Sequence, residues 1–127
     1  MNFILPHNHG QAIEELLPCM PPDSDFLIVS DIFKMLDDSS RLHIFWLLCH
    51  CEECLINLSA LLNMSSPAIS HHLKLLKAAG LVVSRRSGKE VYYKASDSRQ
   101  VQLLHTVIEQ LVEISCPAPA AQKSSQY

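Results

Sequence analysis

Apolar residues recur at helical spacing through most of this 127-residue chain and give way to a short β pattern only once. Over residues 25–36, Val29, Phe33 and Leu36 mark one stripe and Ile28, Ile32 and Met35 a second, which predicts a helix with two apolar faces. One face serves the helix's own core and leaves the other for a partner chain. Residues 41–48 predict a central helix, because Leu42, Ile44, Phe45, Trp46, Leu47 and Leu48 leave it little polar surface. Ser39 or Ser40 stands where a cap is needed. A further helix is expected over 55–62, then a turn at Asn63-Met64-Ser65. Ser66 at the cap, Pro67 at the first helical position and Gly80 just past the end delimit a helix over 66–79. Ile69, Leu73 and Leu76 form its inward stripe. Residues 81–85 and 90–95 are β-type runs around Ser87-Gly88, a hairpin signal. Asp97 with Gln100 three residues on reads as a capping pair for a last helix. On that helix Val101, Leu104, Ile108 and Leu111 form one stripe, and Leu103, Val107 and Ile114 a second.

The order helix, helix, helix–turn–helix, hairpin, helix predicts a mainly α fold: a winged helix–turn–helix with a two-stranded β-hairpin wing. Its N- and C-terminal helices carry more apolar surface than one small domain buries, so they are expected to pair two chains. Residues 1–22 hold four of the seven prolines and read as a flexible N-terminal arm with a short helix over 11–17. Residues 23–115 read as one folded domain that carries the winged helix–turn–helix and both pairing helices. Residues 116–127, rich in Pro, Ala and Ser, read as a disordered tail. No run of apolar residues is long enough to span a membrane, and MNFILPHNHG lacks the pattern of a signal peptide. A cytoplasmic location with reduced cysteines is therefore expected.

Charge sharpens the reading. The net charge of −3 conceals an uneven distribution: seven acids and only Lys34 among the first forty residues, against six bases and one acid between Met64 and Lys94. Such a basic region on an acidic chain is the footprint of a nucleic-acid partner. On the 66–79 helix, Ser66, Ser70, Lys74 and Lys77 recur on the outward side with His71 beside them, and Ser65 precedes the helix. Hydroxyls and long cationic side chains there suit base edges and phosphates of double-stranded DNA. Arg85, Arg86 and Lys89 at the hairpin tip suit flanking backbone. His72, by contrast, aligns with the edge of the core.

The stretch LCHCEECLINL brings Cys49, His50, Cys51, Glu52, Glu53 and Cys54 together at the joint between two helices. A zinc ribbon needs a second Cys-x-x-Cys, and none follows. His50-Cys51-Glu52 matches the His-x-Glu of zinc deaminases, but the Pro-Cys-x-x-Cys partner is missing, and no phosphate loop or catalytic triad appears elsewhere. An enzyme is not expected. Cys49, next to Leu47 and Leu48, reads as a small core hydrophobe. Cys51 and Cys54 flank a helix start among acids, and soft thiolates select thiophilic ions such as Zn(II) or Cd(II). Two thiolates fall short of the four donors of tetrahedral zinc. The alternative is a thiol switch in which Cys54 pairs with Cys51, Cys19 or Cys116 on oxidation or persulfidation. His105, on the last helix, reads as a dimer-interface or surface histidine.

Taken together, RLHIFWLL, NLSALLNMSSPAISHHLKLLKAAGLV and SRRSGKEVYYKA resemble the ArsR/SmtB family of metal-responsive repressors over most of the chain. The resemblance implies a homodimer that binds operator DNA when metal-free and releases it when a metal or another inducer binds. One metal-site class of the family opens the third helix with a Cys-x-Cys motif. Here Cys54 matches the first cysteine, but Ile56 occupies the second position, leaving Cys51 or His50 to substitute. The resemblance also implies donors from the arm, which here are Cys19, His7 and His9. A second class uses four ligands on the last helix. The matching positions are Asp97, Arg99, Gln110 and Glu113, and since arginine is no ligand this site reads as lost.

Overall fold

A computed structural model describes residues 5–117 of the chain. The elements are α1 (Ile13–Leu16) with a 3-10 turn (Leu17–Cys19), α2 (Asp23–Met35), α3 (Ser39–His50), β1 (Glu53–Cys54), α4 (Leu55–Leu62), α5 (Ser66–Ala78), β2 (Val82–Ser87), β3 (Glu90–Ala95) and α6 (Arg99–Ser115). Contacts divide the chain into two units, Met1–Asp31 and Ile32–Tyr127, with the boundary inside α2. The first unit holds the proline-rich arm, and its short helix falls inside the predicted 11–17 window. Cys19 ends the 3-10 turn and is exposed. The disordered tail expected over 116–127 lies, from residue 118 on, outside the described residues.

In the second unit the core gathers Ile44, Phe45 and Leu48 from α3, Leu58 from α4, Ile69, Leu73 and Leu76 from α5, Leu81 and Val82 around the start of β2, and Val101 from α6. Ile69, Leu73, Leu76 and Val101 are positions the apolar periodicity points inward. Central placement of α3 follows from its composition: its apolar residues nearly encircle the axis, so it packs on several sides at once.

Helix caps differ from expectation by one or two residues, each time among neighbouring capping residues. Asp38, not Ser39 or Ser40, caps α3 by accepting from Arg41 N at 2.9 Å. Ser65, not Ser66, caps α5, accepting from Ala68 N at 3.3 Å. Ser98, not Asp97, caps α6, accepting from Val101 N at 3.2 Å. Any of these side chains is chemically able to cap; packing decides which backbone stays extended.

The wing is larger than a two-stranded hairpin. β2 runs to Ser87, and β1 adds a third antiparallel strand, giving the order β1-β3-β2. Glu53 pairs with Tyr93 and Cys54 with Tyr92. Two residues are too short for a periodic signal, so β1 is visible only once β3 is there to receive it. Gly88, with φ +62°, turns the hairpin between Ser87 and its partner Glu90. Among the described residues no helix is long and apolar enough to cross a membrane.

Candidate nucleic-acid interface and sensor segment

α4 and α5 are held as a unit by their turn. Asn63 adopts a left-handed conformation (φ 51°) and Met64 N donates to Ser59 O at 3.1 Å, while the Ser59 hydroxyl donates to Met64 O. At the far end of α5, Gly80 (φ +77°) closes a Schellman motif: Gly80 N donates to Lys77 O and Leu81 N to Leu76 O, both at 3.0 Å. With Ile69, Leu73 and Leu76 buried, α5 turns His71, Lys74 and Lys77 to solvent, with Ser66 and Ser70 half-buried beside them. Lys77 Nζ donates to Ser84 Oγ at 2.6 Å, which ties the helix to β2. Ser65 is exposed and its hydroxyl is spent on the cap. Lys74 is exposed on this face as well. His72 sits at the edge of the core, as expected: Arg41 Nη1 lies 3.3 Å from its Nδ1, and burial pushes its pKa down.

On the wing, Arg86 and Lys89 are exposed. Arg85 is engaged: Nε and Nη2 donate to Oε2 and Oε1 of Glu52 at 2.9 and 2.6 Å, and its guanidinium lies 4.9 Å from the Tyr92 ring centre. These hydrogen bonds hold the Glu52 carboxyl below its ordinary range and raise the Arg85 pKa. The pairing of Glu52 with Arg85 and the place of Tyr92 beside it have no signal in the sequence; a carboxylate two residues before Cys54 gives no hint of a partner thirty-three residues on.

The cysteines occupy distinct settings. Cys51 caps the end of α3, its Sγ donating to Leu47 O at 3.3 Å. Burial, then the charge of Glu53, pushes its thiol up. Cys54 is buried, stands at the N-cap of α4 and makes no side-chain cap bond. Cys49, half-buried against the core as expected, is pushed up to about 11 by burial and by Glu109. His7 and His9 stack with ring centres 6.0 Å apart within the first unit. Within the second unit, neither Cys51 nor Cys54 converges with two other donors among the described residues. What does converge is His50, His105 and Glu109, whose ligand atoms lie within 4.8 Å of one another. Glu109 and the ligand geometry of His105 were missed from sequence. The i,i+4 spacing of these two residues was the available signal, and the place of His50 beside them required the fold.

A buried-stripe helix with an exposed cationic side, preceded by a short turn and a helix and followed by a basic wing, defines a winged helix–turn–helix DNA-binding regulator. Residues 38–84 match the model for the bacterial regulatory protein, arsR family. The chain is 35% identical over 105 residues to the transcriptional repressor SmtB homolog of Synechocystis, covering 83% of this chain and 80% of that one. It belongs to the ArsR family. It is also 43% identical over 72 residues to the arsenical resistance operon repressor of Escherichia coli, spanning 56% of this chain and 62% of that protein, less than two thirds of its length. Among solved structures, the homodimeric winged helix–turn–helix DNA-binding domain Mb0332 from Mycobacterium bovis superposes with a TM-score of 0.66 at 25% identity, covering 75% and 87% of the two chains.

Proposed function

We propose that the chain is a homodimeric transcriptional repressor whose hold on operator DNA is released by a thiophilic metal ion, with Zn(II) and Cd(II) the leading candidates. The observation that carries the DNA half is the exposed Lys74 and His71 side of α5 beside a wing bearing Arg86 and Lys89. Dimerisation is supported by apolar side chains that α2 and α6 leave in solvent, among them Leu27, Ile28 and Phe33, and Leu103, Leu111 and Ile114. A second copy covers such faces and spaces two recognition helices for successive major grooves.

The sensing half rests on the segment between α3 and α4. It carries Cys51 and Cys54, pairs with β3, and grips the wing through Glu52, so a rearrangement there reaches the DNA-facing parts directly. Cys51 and Cys54 supply two of the roughly four donors that tetrahedral zinc takes. Cys19, His7 and His9 are the remaining donors proposed; His50, the other sequence candidate, faces His105 and Glu109 instead. Coupling of about 1–3 kcal/mol, a 5–150-fold change in affinity, is the usual scale for such a switch.

The test is a titration of reduced, metal-free protein onto a duplex it selects from a random pool, at fixed salt, repeated with Zn(II) or Cd(II). Specific binding weakened at least fivefold by metal supports the reading. Affinity for the selected duplex no better than for random DNA refutes the regulator, and affinity indifferent to either metal refutes the sensor.

A further inference from the structure

We propose that His50, Glu109 and His105 form a nitrogen–oxygen site for a borderline divalent ion, Zn(II), Co(II) or Ni(II), joining the end of α3 to α6 and separate from the cysteines. His50 Nε2 lies 3.0 Å from His105 Nε2 and 3.1 Å from Glu109 Oε1, and His105 Nε2 lies 2.9 Å from the same oxygen. The three atoms are corners of a nearly equilateral triangle. An ion about 2.1 Å from each corner stands about 1.2 Å off its plane with donor–ion–donor angles of about 90°, the arrangement of three ligands on one face of an octahedron.

Protons alone satisfy this triangle poorly. Glu109 Oε1 already accepts from Trp46 Nε1 at 2.9 Å. If both imidazole nitrogens carry hydrogens, two N–H groups face each other across 3.0 Å. If one is bare, the single N–H left serves either the other nitrogen or the carboxylate oxygen, so no assignment of hydrogens fills all three contacts. A cation at the apex turns all three lone pairs into ligands. Two neutral imidazoles and one carboxylate favour first-row ions of intermediate hardness over Mg(II) or Ca(II), which take oxygen donors.

The surroundings match a built site. The indole N–H fixes the carboxylate's orientation, the role of an outer-shell hydrogen bond, and the Trp46 ring centre lies 4.3 Å from that of His50. A cleft of about 330 Å³ lined by His50, Cys51, Glu52, Lys94, Gln102 and His105 gives an entering ion a path and leaves room for water at its remaining positions. Both α3 and α6 belong to the second unit, so all three donors come from one chain and none has to be supplied by a partner.

Trp46 is the only tryptophan and touches the triangle, which makes it a reporter. Reduced full-length protein is titrated with Co(II), a paramagnetic quencher, and then with Zn(II), which does not quench. The expected result is saturable quenching at one ion per chain, reversed by Zn(II), with no sulfur-to-cobalt charge-transfer band growing in step. His105→Ala and Glu109→Gln should each weaken the Co(II) midpoint at least tenfold. Glu109→Gln keeps a side-chain oxygen for Trp46, so its unfolding curve serves as the check that loss of binding is not loss of fold. No saturable quenching, quenching that survives both substitutions, or a thiolate band in step with it overturns the site. Because ion binding is read without DNA, its failure leaves the regulator reading standing, and its success does not depend on operator release.

Discussion

Glu52 and Arg85 are joined by two hydrogen bonds, Nε to Oε2 at 2.9 Å and Nη2 to Oε1 at 2.6 Å, across the gap between the loop after α3 and the first wing strand. The pairing closes a small mechanical loop. β1 is bonded to β3, β3 to β2, and β2 returns through Arg85 to the residue beside Cys51. The cysteine segment and the wing are therefore joined from both sides, through β3 and through Arg85. Both side chains are solvent-accessible, so the bond fixes geometry more than it stabilises the fold.

One consequence concerns DNA. A guanidinium committed to Glu52 is unavailable to phosphate. Glu52→Gln removes the competing charge, and the expected outcome is tighter operator binding with a steeper salt dependence, by about 0.9 in log–log slope for each further phosphate that is neutralised. Fluorescence anisotropy at several salt concentrations reads both quantities. An unchanged slope would show that Arg85 takes no phosphate in either form.

Lys74 has no such competitor on the exposed side of α5 among the described residues. Lys74→Ala should weaken operator binding and, if the side chain meets a phosphate, lower the salt slope by about 1 per protomer. Helicity and melting temperature should stay close to wild type, since the residue contributes nothing to the core. Full affinity retained under the same salt series would remove α5 from the groove.

A third expectation follows from His72. Burial lowers its pKa from the ordinary value; Asp38 Oδ1, 4.0 Å from Nε2, opposes this, while Arg41 and His71 add to it. A base with a depressed folded pKa binds its proton more readily when unfolded. Stability is thus fully present above the unfolded value near 6.5 and is lost as pH falls through the folded value. Replacing it with an uncharged residue of similar size, His72→Gln, should flatten the fall in melting temperature between about pH 7 and pH 5. An equally steep fall in the variant would assign the acid sensitivity to other groups.

Much of this architecture is legible along the chain, and the reasons are local. Ile69, Leu73 and Leu76 sit at helical spacing between a capping serine and Gly80, so the recognition helix announces itself. Phe45 lies on the helix whose scarcity of polar residues predicts a central place, and it is fully buried. Cap identity at Asp38, Ser65 and Ser98 is less legible, because neighbouring residues cap equally well in isolation. The pairings of Glu52 with Arg85 and of His50 with His105 and Glu109 are illegible for a different reason: each joins residues more than thirty positions apart, and periodicity carries no information at that range.

The cysteines offer the sharpest remaining contrast. At pH 8 a thiol with a pKa of about 11, as at Cys49, is ionised to only about one part in a thousand, so its alkylation is slow even where reagent reaches it. Cys51 is restrained in the same direction by burial and by the charge of Glu53, and its hydrogen is given to Leu47 O. Cys54 is shielded by burial, whereas Cys19 and Cys116 are exposed. Timed alkylation with iodoacetamide followed by peptide mass spectrometry should therefore label Cys19 and Cys116 first and the three cysteines between positions 49 and 54 last. Adding one equivalent of Zn(II) or Cd(II) should slow Cys51 and Cys54 further, and Cys19 as well if it completes the sulfur set. Cys51 reacting as fast as Cys19 in metal-free protein would contradict its hydrogen-bonded setting. Metal that leaves Cys51 and Cys54 unchanged would take both out of the sensor.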